Sequence, residues 1–420
     1  MREAKAVALR AVLAFAVVLS MAGAAFSEAA KPSSNSKIVT FAADTPADAR
    51  KDIIAKAGGT IVRELSIING YEVEFRAGLK AMGDAVLKSK REIKNVAPNT
   101  YVKWIEVAMP SLRSVTLPSV QQVLRQARQN TTGAPKVGAS SKQAEPEPEA
   151  ASKVPWGVQR VGAPAAWDQG VTGAGIKVGV IDTGIDYTHP ALAGNYKGGY
   201  NAVKPGEDPK DDHGHGTHVS GTIAADGDDI VGVAPKASLY AIKVLDGSGG
   251  GTIAGVIDGI GWAVKNGMQI VNMSLGGPSS EELEAAVKAA YDAGVTVVAA
   301  AGNDPEAEVS APACYAQAIA ISASDSGDAL ASFSTTGPQV AFIAPGVKVP
   351  STWLGGGLKS ISGTSMATPH VTGLAVLAYS MGARSPDAIR NALKAAAKPL
   401  PNLKPEQQGA GMIDAGLLGR

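Results

Sequence analysis

The run Ile176-Lys177-Val178-Gly179-Val180-Ile181 is almost wholly apolar and is followed at once by Asp182-Thr183-Gly184. Similar apolar stretches occur at residues 238–244, 270–274 and 295–300, and helical patterns lie between them, notably at 252–266 and 280–293. Continuous apolar strands that alternate with helices are typical of a parallel sheet covered by helices on both faces. We therefore predict an α/β fold built on a three-layer, doubly wound parallel sheet.

Polar side chains follow three of these predicted strands. Asp182 follows the first strand directly, Ser274 comes at the end of the third, and Asn303 lies just after the fourth. In doubly wound sheets, functional residues gather at the carboxyl ends of the strands. The sequence therefore predicts a polar site along this edge of the sheet.

Two further motifs supply a base and a nucleophile. His215-Gly216-Thr217-His218 offers imidazole, whose pKa lies nearest to neutral pH. Gly363-Thr364-Ser365-Met366-Ala367 precedes an apolar helix pattern at residues 371–379, which would place Ser365 at a helix amino end. Free N–H groups and the helix dipole favour negative charge there. Taken alone, Ser365 reads more simply as a helix cap.

Together the three motifs, in the order acid, base and nucleophile, are similar to those of the subtilisin-like serine peptidases, the subtilase family, and the likeness covers about residues 154–416. The resemblance implies a serine endopeptidase that hydrolyses peptide bonds through an acyl-enzyme. Ser365 would be the nucleophile, His215 the general base and acid, and Asp182 the carboxylate that orients His215. The resemblance also implies that Asn303 donates to the oxyanion, although an asparagine after a glycine is usually a turn residue.

Other residues compete for these roles. His213, His218 and His370 are rivals of His215, and the family pattern selects the first histidine of His-Gly-Thr-His. We expect His218 and His370 to be packed structural residues. Asp186 is the rival carboxylate, but only Asp182 directly follows the apolar strand.

The resemblance also implies a substrate cleft in which a peptide lies as an added strand. Its two sides would be Gly247-Ser248-Gly249 and Ser274-Leu275-Gly276, and its first side-chain pocket would be lined by Ala300, Gly302 and residues 310–312. Asp304, Glu306 and Glu308 lie close by in sequence. They favour either a solvated acidic loop or, less readily, a pocket that tolerates basic residues.

A small α+β unit precedes the catalytic domain. Residues 37–107 show strand patterns at 37–41, 60–65, 71–75 and 101–107 and helix patterns at 46–57 and 79–88. This order resembles the subtilisin propeptide, which is a folding chaperone and inhibitor of its own enzyme. Residues 108–152 are rich in Gln, Ser, Pro and Ala and predict a flexible linker, and residues 153–420 form the predicted catalytic domain.

Residues 1–25 predict a signal peptide. A basic start (Arg2, Lys5 and Arg10) is followed by an apolar run at 11–21 and small residues at 22–25. A signal anchor is the alternative, but the run is shorter than the roughly 20 residues that cross a bilayer. We expect a secreted, extracellular zymogen that is monomeric after processing and has no membrane anchor; a periplasmic location is the alternative.

Composition narrows the remaining function classes. The net charge of +1 over 420 residues argues against nucleic acid as a partner, and a single cysteine, Cys314, excludes an internal disulfide.

Catalysis by the proposed residues requires no cofactor. A structural calcium ion is a further hypothesis, with Asp208 and Asp211 of the loop at 207–212 as weak candidate ligands, because calcium binds through several oxygen atoms.

Two alternative functions stay open. The first is a catalytically inactive relative that only binds peptides, but all three triad positions and Asn303 carry the expected residue types. The second is a selective processing protease, which often has a strongly acidic cleft or an additional domain. The expected partners are protein or peptide substrates and the chain's own propeptide.

Overall fold

The computed structural model describes residues 35–76, 78–105 and 153–419. The predicted signal peptide and the predicted linker at residues 108–152 lie outside these ranges. Within them, no helix is both long enough and apolar enough to cross a bilayer.

The amino-terminal unit is a four-stranded antiparallel sheet with two helices. Its elements are β1 (Ser36–Phe41), α1 (Ala47–Lys56), β2 (Gly59–Leu65), β3 (Gly70–Phe75), α2 (Lys80–Lys88) and β4 (Ile93–Pro98). The strand order is β2-β3-β1-β4. Asn69 lies between β2 and β3 and has a φ of 55°, which asparagine tolerates better than most residues.

One predicted strand has a different partner from the one expected. The fourth strand of this sheet is β4 and not residues 101–107, because Ile93–Pro98 occupies the place beside β1. After Asn99-Thr100 the chain leaves the sheet as β5 (Tyr101–Lys103). This strand pairs antiparallel with Gly250–Thr252 of the catalytic domain.

The catalytic domain contains the remaining elements. Its strands are β6 (Lys177–Asp182), β7 (Tyr196–Asn201), β8 (Ser238–Lys243), β9 (Gly250–Thr252), β10 (Ile270–Met273), β11 (Thr296–Ala300), β12 (Ala318–Ser324), β13 (Val340–Pro345), β14 (Val349–Trp353), β15 (Gly357–Ile361), β16 (Ala397–Lys398) and β17 (Met412–Ile413). Its helices are α3 (Trp156–Arg160), α4 (Ala163–Trp167), α5 (Pro190–Ala193), α6 (His215–Ala224), α7 (Ile253–Lys265), α8 (Glu281–Asp292), α9 (Thr364–Ser380), α10 (Pro386–Ala395) and α11 (Pro405–Gln408).

The central sheet has nine strands in the order β16-β17-β13-β12-β11-β10-β6-β8-β7. Its pairs are parallel except β16–β17 at one edge. After β8 the chain crosses over β6 to form β10 on its other side, so the strand order reverses at β6. This confirms the predicted doubly wound sheet; strands β7, β12, β13, β16 and β17 had no predicted counterpart.

The sheet is buried on both faces. Val178, Val180 and Val298 belong to a buried cluster with residues of α6, α9 and α10, whereas Ile181 and Val297 belong to a second cluster with residues of α7 and α8. Because alternate side chains of a strand point to opposite faces, β6 and β11 each contribute to both clusters. Burying one such valine or isoleucine contributes about 1.5–3 kcal/mol, so the strands are held firmly where their carboxyl ends carry polar residues.

Candidate active site

The carboxyl ends of three neighbouring strands bring the predicted polar residues together. Asp182 is the last residue of β6, Ser274 follows β10, and Asn303 lies three residues after β11. Since β6, β10 and β11 are adjacent in the sheet, the three residues share one edge. The sheet topology therefore builds the predicted polar edge from segments far apart in sequence.

Asp182 and His215 form a buried pair. His215 Nδ1 lies 2.9 and 3.0 Å from the two carboxylate oxygens of Asp182. Asp182 is fully buried and His215 is 5% exposed. A carboxylate accepts only, so Nδ1 carries the proton and Nε2 is left as the nitrogen that can accept from a neighbour.

A second carboxylate fixes the start of the helix that carries His215. Asp211 Oδ1 accepts from Thr183 Oγ1 at 2.8 Å and from the Gly214 N–H at 2.9 Å, while Asp211 Oδ2 accepts from Thr217 Oγ1 at 2.6 Å. Thr183 Oγ1 in turn accepts from the N–H of Gly216 at 3.0 Å. This network ties the loop after β6 to the first turn of α6, so the spacing between Asp182 and His215 is set by several hydrogen bonds.

Ser365 lies in the first turn of α9, which begins at Thr364. Its hydroxyl donates to the carbonyl oxygen of Ser274 at 3.0 Å, and the Ser274 hydroxyl donates to the Ser365 carbonyl at 2.8 Å. His215 and Ser365 line the same cavity. In this conformation the Ser365 hydroxyl points to Ser274, and a rotation about its Cα–Cβ bond would redirect it.

Asn303 has a fixed amide orientation. Its Oδ1 accepts from the Thr364 N–H at 2.9 Å and from Thr364 Oγ1 at 3.0 Å. Because a backbone N–H can only donate, the first bond identifies the oxygen, and the amide nitrogen Nδ2 is the group directed to the other side. Asn303 lines the cavity beside Ser365. The amide is therefore arranged as a donor next to the serine.

The rival residues make other contacts. The carboxylate of Asp186 accepts from Thr188 Oγ1 at 2.6 Å and from the Gly355 N–H at 2.9 Å. Burial would raise the pKa of Asp186, but these hydrogen bonds outweigh it and lower the pKa overall. Asp186 thus remains ionised while it anchors the turn between β14 and β15.

The other histidines are mostly held by backbone groups. His218 Nε2 lies 3.0 Å from the Val349 carbonyl, and His370 Nδ1 lies 2.9 Å from the Met366 carbonyl. Burial lowers the pKa of His218 to about 3 and that of His370 to about 4. His189 caps α5 by accepting from the Ala191 N–H at 3.1 Å. His213 is different, because it lines the cavity beside His215, and burial and the nearby His215 lower its pKa.

A strand of the chain itself occupies the cleft. Val102 pairs with Gly251, the Trp104 N–H donates to the Gly249 carbonyl at 3.1 Å, and the Gly276 N–H donates to the Trp104 carbonyl at 2.9 Å. Residues 101–105 therefore lie between the two predicted sides of the cleft. On the first side the pairing partners are Gly249–Thr252, whereas Gly247 and Ser248 form the turn before them, in which the Ser248 N–H donates to Asp246 Oδ1 at 2.8 Å.

We call the part of the cleft beside residues 102–104 the upstream pocket. It is lined by the predicted residues Leu275, Gly276, Ala300, Gly302 and Ser310, and also by the following residues that the motifs did not point to: Thr335, Ala307 and Pro278. Asp304 and Glu308 line it too, so two carboxylates of the predicted acidic loop face this pocket, whereas Glu306 is not among its lining residues.

The acidic loop at 207–212 does not form a metal site. Asp211 is 5% exposed and uses its oxygens on the network around Thr183 and Thr217, Asp212 pairs with Lys243 Nζ at 2.6 Å, and Asp208 accepts from Tyr187. Across the described residues, no group of three or more His, Cys, Asp or Glu is arranged to hold a metal ion. The predicted ligands Asp208 and Asp211 are engaged within the protein, so the residues present do not fit a calcium site there.

Comparison with known proteins identifies a family and several similar proteases. A sequence model of the Subtilase family (Peptidase_S8) matches residues 173–411. Subtilisin Savinase from Lederbergia lenta is 49% identical over 270 residues, which cover 63% of this chain and 98% of that protein. M-protease from Shouchella clausii and an alkaline protease from Alkalihalobacillus alcalophilus are each 49% identical over 270 residues, or 63% of this chain and 70% of the relative.

Proposed function

Because this chain belongs to the subtilase family of serine endopeptidases, we propose that it cleaves peptide bonds with Ser365 as nucleophile, His215 as base and Asp182 as orienting carboxylate. The observation that carries the proposal is the buried pair between His215 Nδ1 and Asp182. It assigns the ring proton to Nδ1 and leaves Nε2 to accept the proton of the serine hydroxyl.

In the proposed reaction, Ser365 Oγ turns from the Ser274 carbonyl to His215 and attacks the substrate carbonyl carbon. His215 takes the hydroxyl proton and then gives it to the leaving amine, which yields an acyl-enzyme. Water activated by the same imidazole then releases the acid product. Asp182 stabilises the imidazolium in both steps and keeps its own charge throughout.

The oxyanion is proposed to be bound by Asn303 Nδ2 and the Ser365 N–H. Two hydrogen bonds from Thr364 to Asn303 Oδ1 support this role, because they fix which end of the amide can donate. Ser365 also stands in the first turn of the long helix α9, where backbone N–H groups and the helix dipole favour a negative charge. No step in this scheme needs a cofactor.

We propose further that the chain is made as a zymogen whose amino-terminal unit inhibits the cleft. Support comes from β5, which pairs with β9 and occupies the place of an extended peptide. A parallel sheet forms through non-local contacts, and a folded partner can help to template them. The first cut is proposed between about Val107 and Leu117 with later trimming towards Lys153, in residues outside those described.

Export is also part of the proposal. It is supported by the basic and apolar pattern of residues 1–25 and by the similarity to bacterial alkaline proteases. An extracellular protease must be kept inactive until it leaves the cell, and a cleft occupied by the chain's own strand suits that requirement.

Covalent labelling with a fluorophosphonate probe tests the proposed nucleophile. We expect the processed wild-type enzyme to be labelled at Ser365, to cleave casein and to lose both properties in Ser365→Ala. A folded enzyme that resists the probe and leaves casein intact would instead favour a peptide-binding protein without catalysis.

A further inference from the structure

The second half of the cleft carries a positive charge that the proposed catalytic groups do not use. We call this half the downstream pocket. It is lined by Ile105, His213, His215, Asn303, Trp353, Lys359, Ile361, Ser362, Gly363, Ser365 and Met366. Among the described residues that line it there is no aspartate or glutamate, and Lys359 is the only lysine or arginine. The described lining of the downstream pocket therefore has one cation and no carboxylate to balance it.

The direction of the bound strand identifies which part of a substrate reaches this pocket. Val102, Lys103 and Trp104 line the upstream pocket, and Ile105, which follows them, lines the downstream pocket. Ser365 lines both. A peptide that runs in the same direction thus enters along β9, passes Ser365 and continues into the downstream pocket. In such a peptide, the residues that follow the position of Ile105 would lie there, and they include those on the carboxyl side of the cleaved bond.

Lys359 is held in place by an aromatic platform. Its ammonium lies 4.0 Å from the centre of the Trp353 ring, and the two residues belong to the paired strands β14 and β15. A cation over an indole face is an attractive arrangement that also limits the freedom of the lysine side chain. Within the described part of the chain, Lys359 has no ion-pair partner.

The platform itself rests on the segment that carries the base. A Cβ atom added to Gly214 would lie 2.5 Å from Trp353 Cζ2, so the indole packs directly on the backbone before His215. The Trp353 ring also meets the buried His218 edge-on, with ring centres 6.2 Å apart. Lys359 is therefore positioned by groups fixed to α6, and its charge stays close to the site of reaction.

The upstream pocket has the opposite character. Asp304 and Glu308 line it, and both are exposed. An acidic side chain would be repelled there and attracted downstream, so the charge of the cleft changes sign across Ser365. Opposite charge patterns on the two sides of an interface select partners and suppress wrong ones.

We propose that Lys359 is a specificity-determining residue that selects peptides with an acidic side chain on the carboxyl side of the cleaved bond. This inference rests on the proposed peptidase function and adds a substrate class to it. Exposed ion pairs are weak, so the expected preference is about threefold to fivefold in kcat/KM for glutamate over glutamine at the selected position.

Internally quenched peptides provide the test. A set identical except for Glu, Gln or Lys at the first, second or third residue after the cleaved bond is measured with the processed enzyme, with Lys359→Glu and with Lys359→Gln. We expect wild type to prefer Glu at one or more positions, Lys359→Gln to lose the preference and Lys359→Glu to favour Lys. The preference should also shrink in 1 M salt, where the screening length is about 3 Å.

Lys348→Glu is the matched control, because Lys348 is an exposed lysine just before the same hairpin and does not line the pocket. It should keep the wild-type order of peptides. An enzyme that labels with the fluorophosphonate probe but ranks Glu, Gln and Lys peptides identically in wild type and Lys359→Glu would overturn the role of Lys359 alone. An enzyme that neither labels nor cleaves any peptide would overturn the peptidase proposal, and this inference with it.

Discussion

The two large sheets of the molecule are stabilised in different ways. Strands β10, β11 and β12 of the central sheet are buried along their whole length, between helices on both faces. In the amino-terminal sheet, β2 alternates between half-buried and exposed residues, and Val62 is 53% exposed. The small unit has a core of its own with only nine buried residues, including Phe41, Phe75 and Leu87.

The catalytic domain supplies what the small unit lacks. Ile38 and Leu65 belong to the same buried cluster as residues of α7 and α8. Across the interface, Arg63 donates to Asp258 Oδ2 at 2.9 Å and to the Ala202 carbonyl oxygen at 3.1 Å. Within the small unit, Arg63 Nε lies 2.8 Å from Glu72 Oε2. The comparison indicates that the large domain encloses its own core, whereas the small unit buries part of its apolar surface only by docking on the large domain.

Residues of the small unit also form hydrogen bonds with the first turns of two helices of the large domain. The N–H of Ala254, in the first turn of α7, donates to Asn99 Oδ1 at 3.0 Å, and Asn95 Nδ2 donates to Glu282 in the first turn of α8 at 2.7 Å. Helix amino ends leave N–H groups without partners inside the helix. The dependence is therefore mutual, because Asn99 of the small unit accepts from one such N–H group at the start of α7, although the two regions differ in the size of their cores.

The largest expected effect comes from a substitution that blocks the proposed cleavage between the two regions. In Ser365→Ala we expect peptidase activity to fall by about 10⁶, because the nucleophile is gone, and the precursor to stay uncut. Gel analysis, mass spectrometry and casein hydrolysis measure this. Ser380→Ala, at the other end of α9, is the control and should process normally; self-maturation of Ser365→Ala without added protease would refute the assignment.

A smaller effect tests whether Asn303, at the edge of the large sheet, stabilises the transition state. Asn303→Leu should fold and bind peptides, but its kcat should fall about 10²–10³-fold, since the contact to the oxyanion strengthens as charge develops. Steady-state kinetics on one peptide separate the two constants. If only KM rose, Asn303 would shape the pocket and would not stabilise the oxyanion.

The docking interface predicts an intermediate effect on inhibition. A separate polypeptide of residues 35–105 should inhibit the processed enzyme and aid its refolding, and Arg63→Ala should weaken inhibition about tenfold to a hundredfold, because hydrogen bonds to charged groups contribute about 1.5–3 kcal/mol. Inhibition constants are the readout. The exposed Lys56→Ala is the control on the small unit.

Asp258→Asn on the enzyme side separates docking from folding of the small unit. It leaves the separate polypeptide unchanged, so weaker inhibition of this variant would come from the interface alone. Unchanged inhibition by both Arg63→Ala and Asp258→Asn would show that the ion pair contributes little and that the apolar contacts of Ile38 and Leu65 dominate.

The smallest effect concerns pH and should appear in the large domain alone. His218 and His370 are buried with pKa values lowered to about 3 and about 4, whereas the small unit contains no histidine. The unfolded chain binds protons below about pH 6.5 that the folded domain does not, so the free energy of unfolding falls as pH falls, by about 1 kcal/mol per pH unit and histidine.

Urea unfolding of the fluorophosphonate-inhibited domain and of the separate small unit between pH 7 and pH 5 measures this difference. For the domain, His370→Asn should reduce the slope of the free energy of unfolding against pH by the contribution of one histidine. An equal slope in the small unit would mean that carboxylates, and not these histidines, set the pH dependence.

The sequence predicted much of the fold because its signals are local. Apolar runs that are buried on both faces identify central strands directly, as with β6, β8, β10 and β11. Strand β7 has the sequence Tyr-Lys-Gly-Gly-Tyr-Asn and lies at an edge, so it carries no continuous apolar run. Strands β12 and β13 were also missed although they are apolar and lie inside the sheet, so an edge position does not explain their omission.

The identity of the polar residues in the active site was predictable from the sequence. The partners of polar residues, there and in the docking interface, were not. Arg63 and Asp258 are 195 residues apart and neither carries a motif, so only the fold brings them together. Asp211 was a candidate metal ligand because it lies in an acidic loop, yet it binds Thr183 and Thr217. The run Gly249-Gly250-Gly251-Thr252 just before α7 was the available signal for the first side of the cleft, since glycine allows another backbone to approach closely.

The position of Trp104 offers an optical signal for the proposed release of the amino-terminal unit. Trp104 is 1% exposed and its Nε1–H donates to the Gly251 carbonyl at 2.9 Å, whereas the other four tryptophans, Trp156, Trp167, Trp262 and Trp353, all belong to the catalytic domain. In the proposed maturation, release of the amino-terminal unit would move one indole from a buried environment into water. Its emission should move to longer wavelength, so the release step can be timed by fluorescence on unlabelled protein.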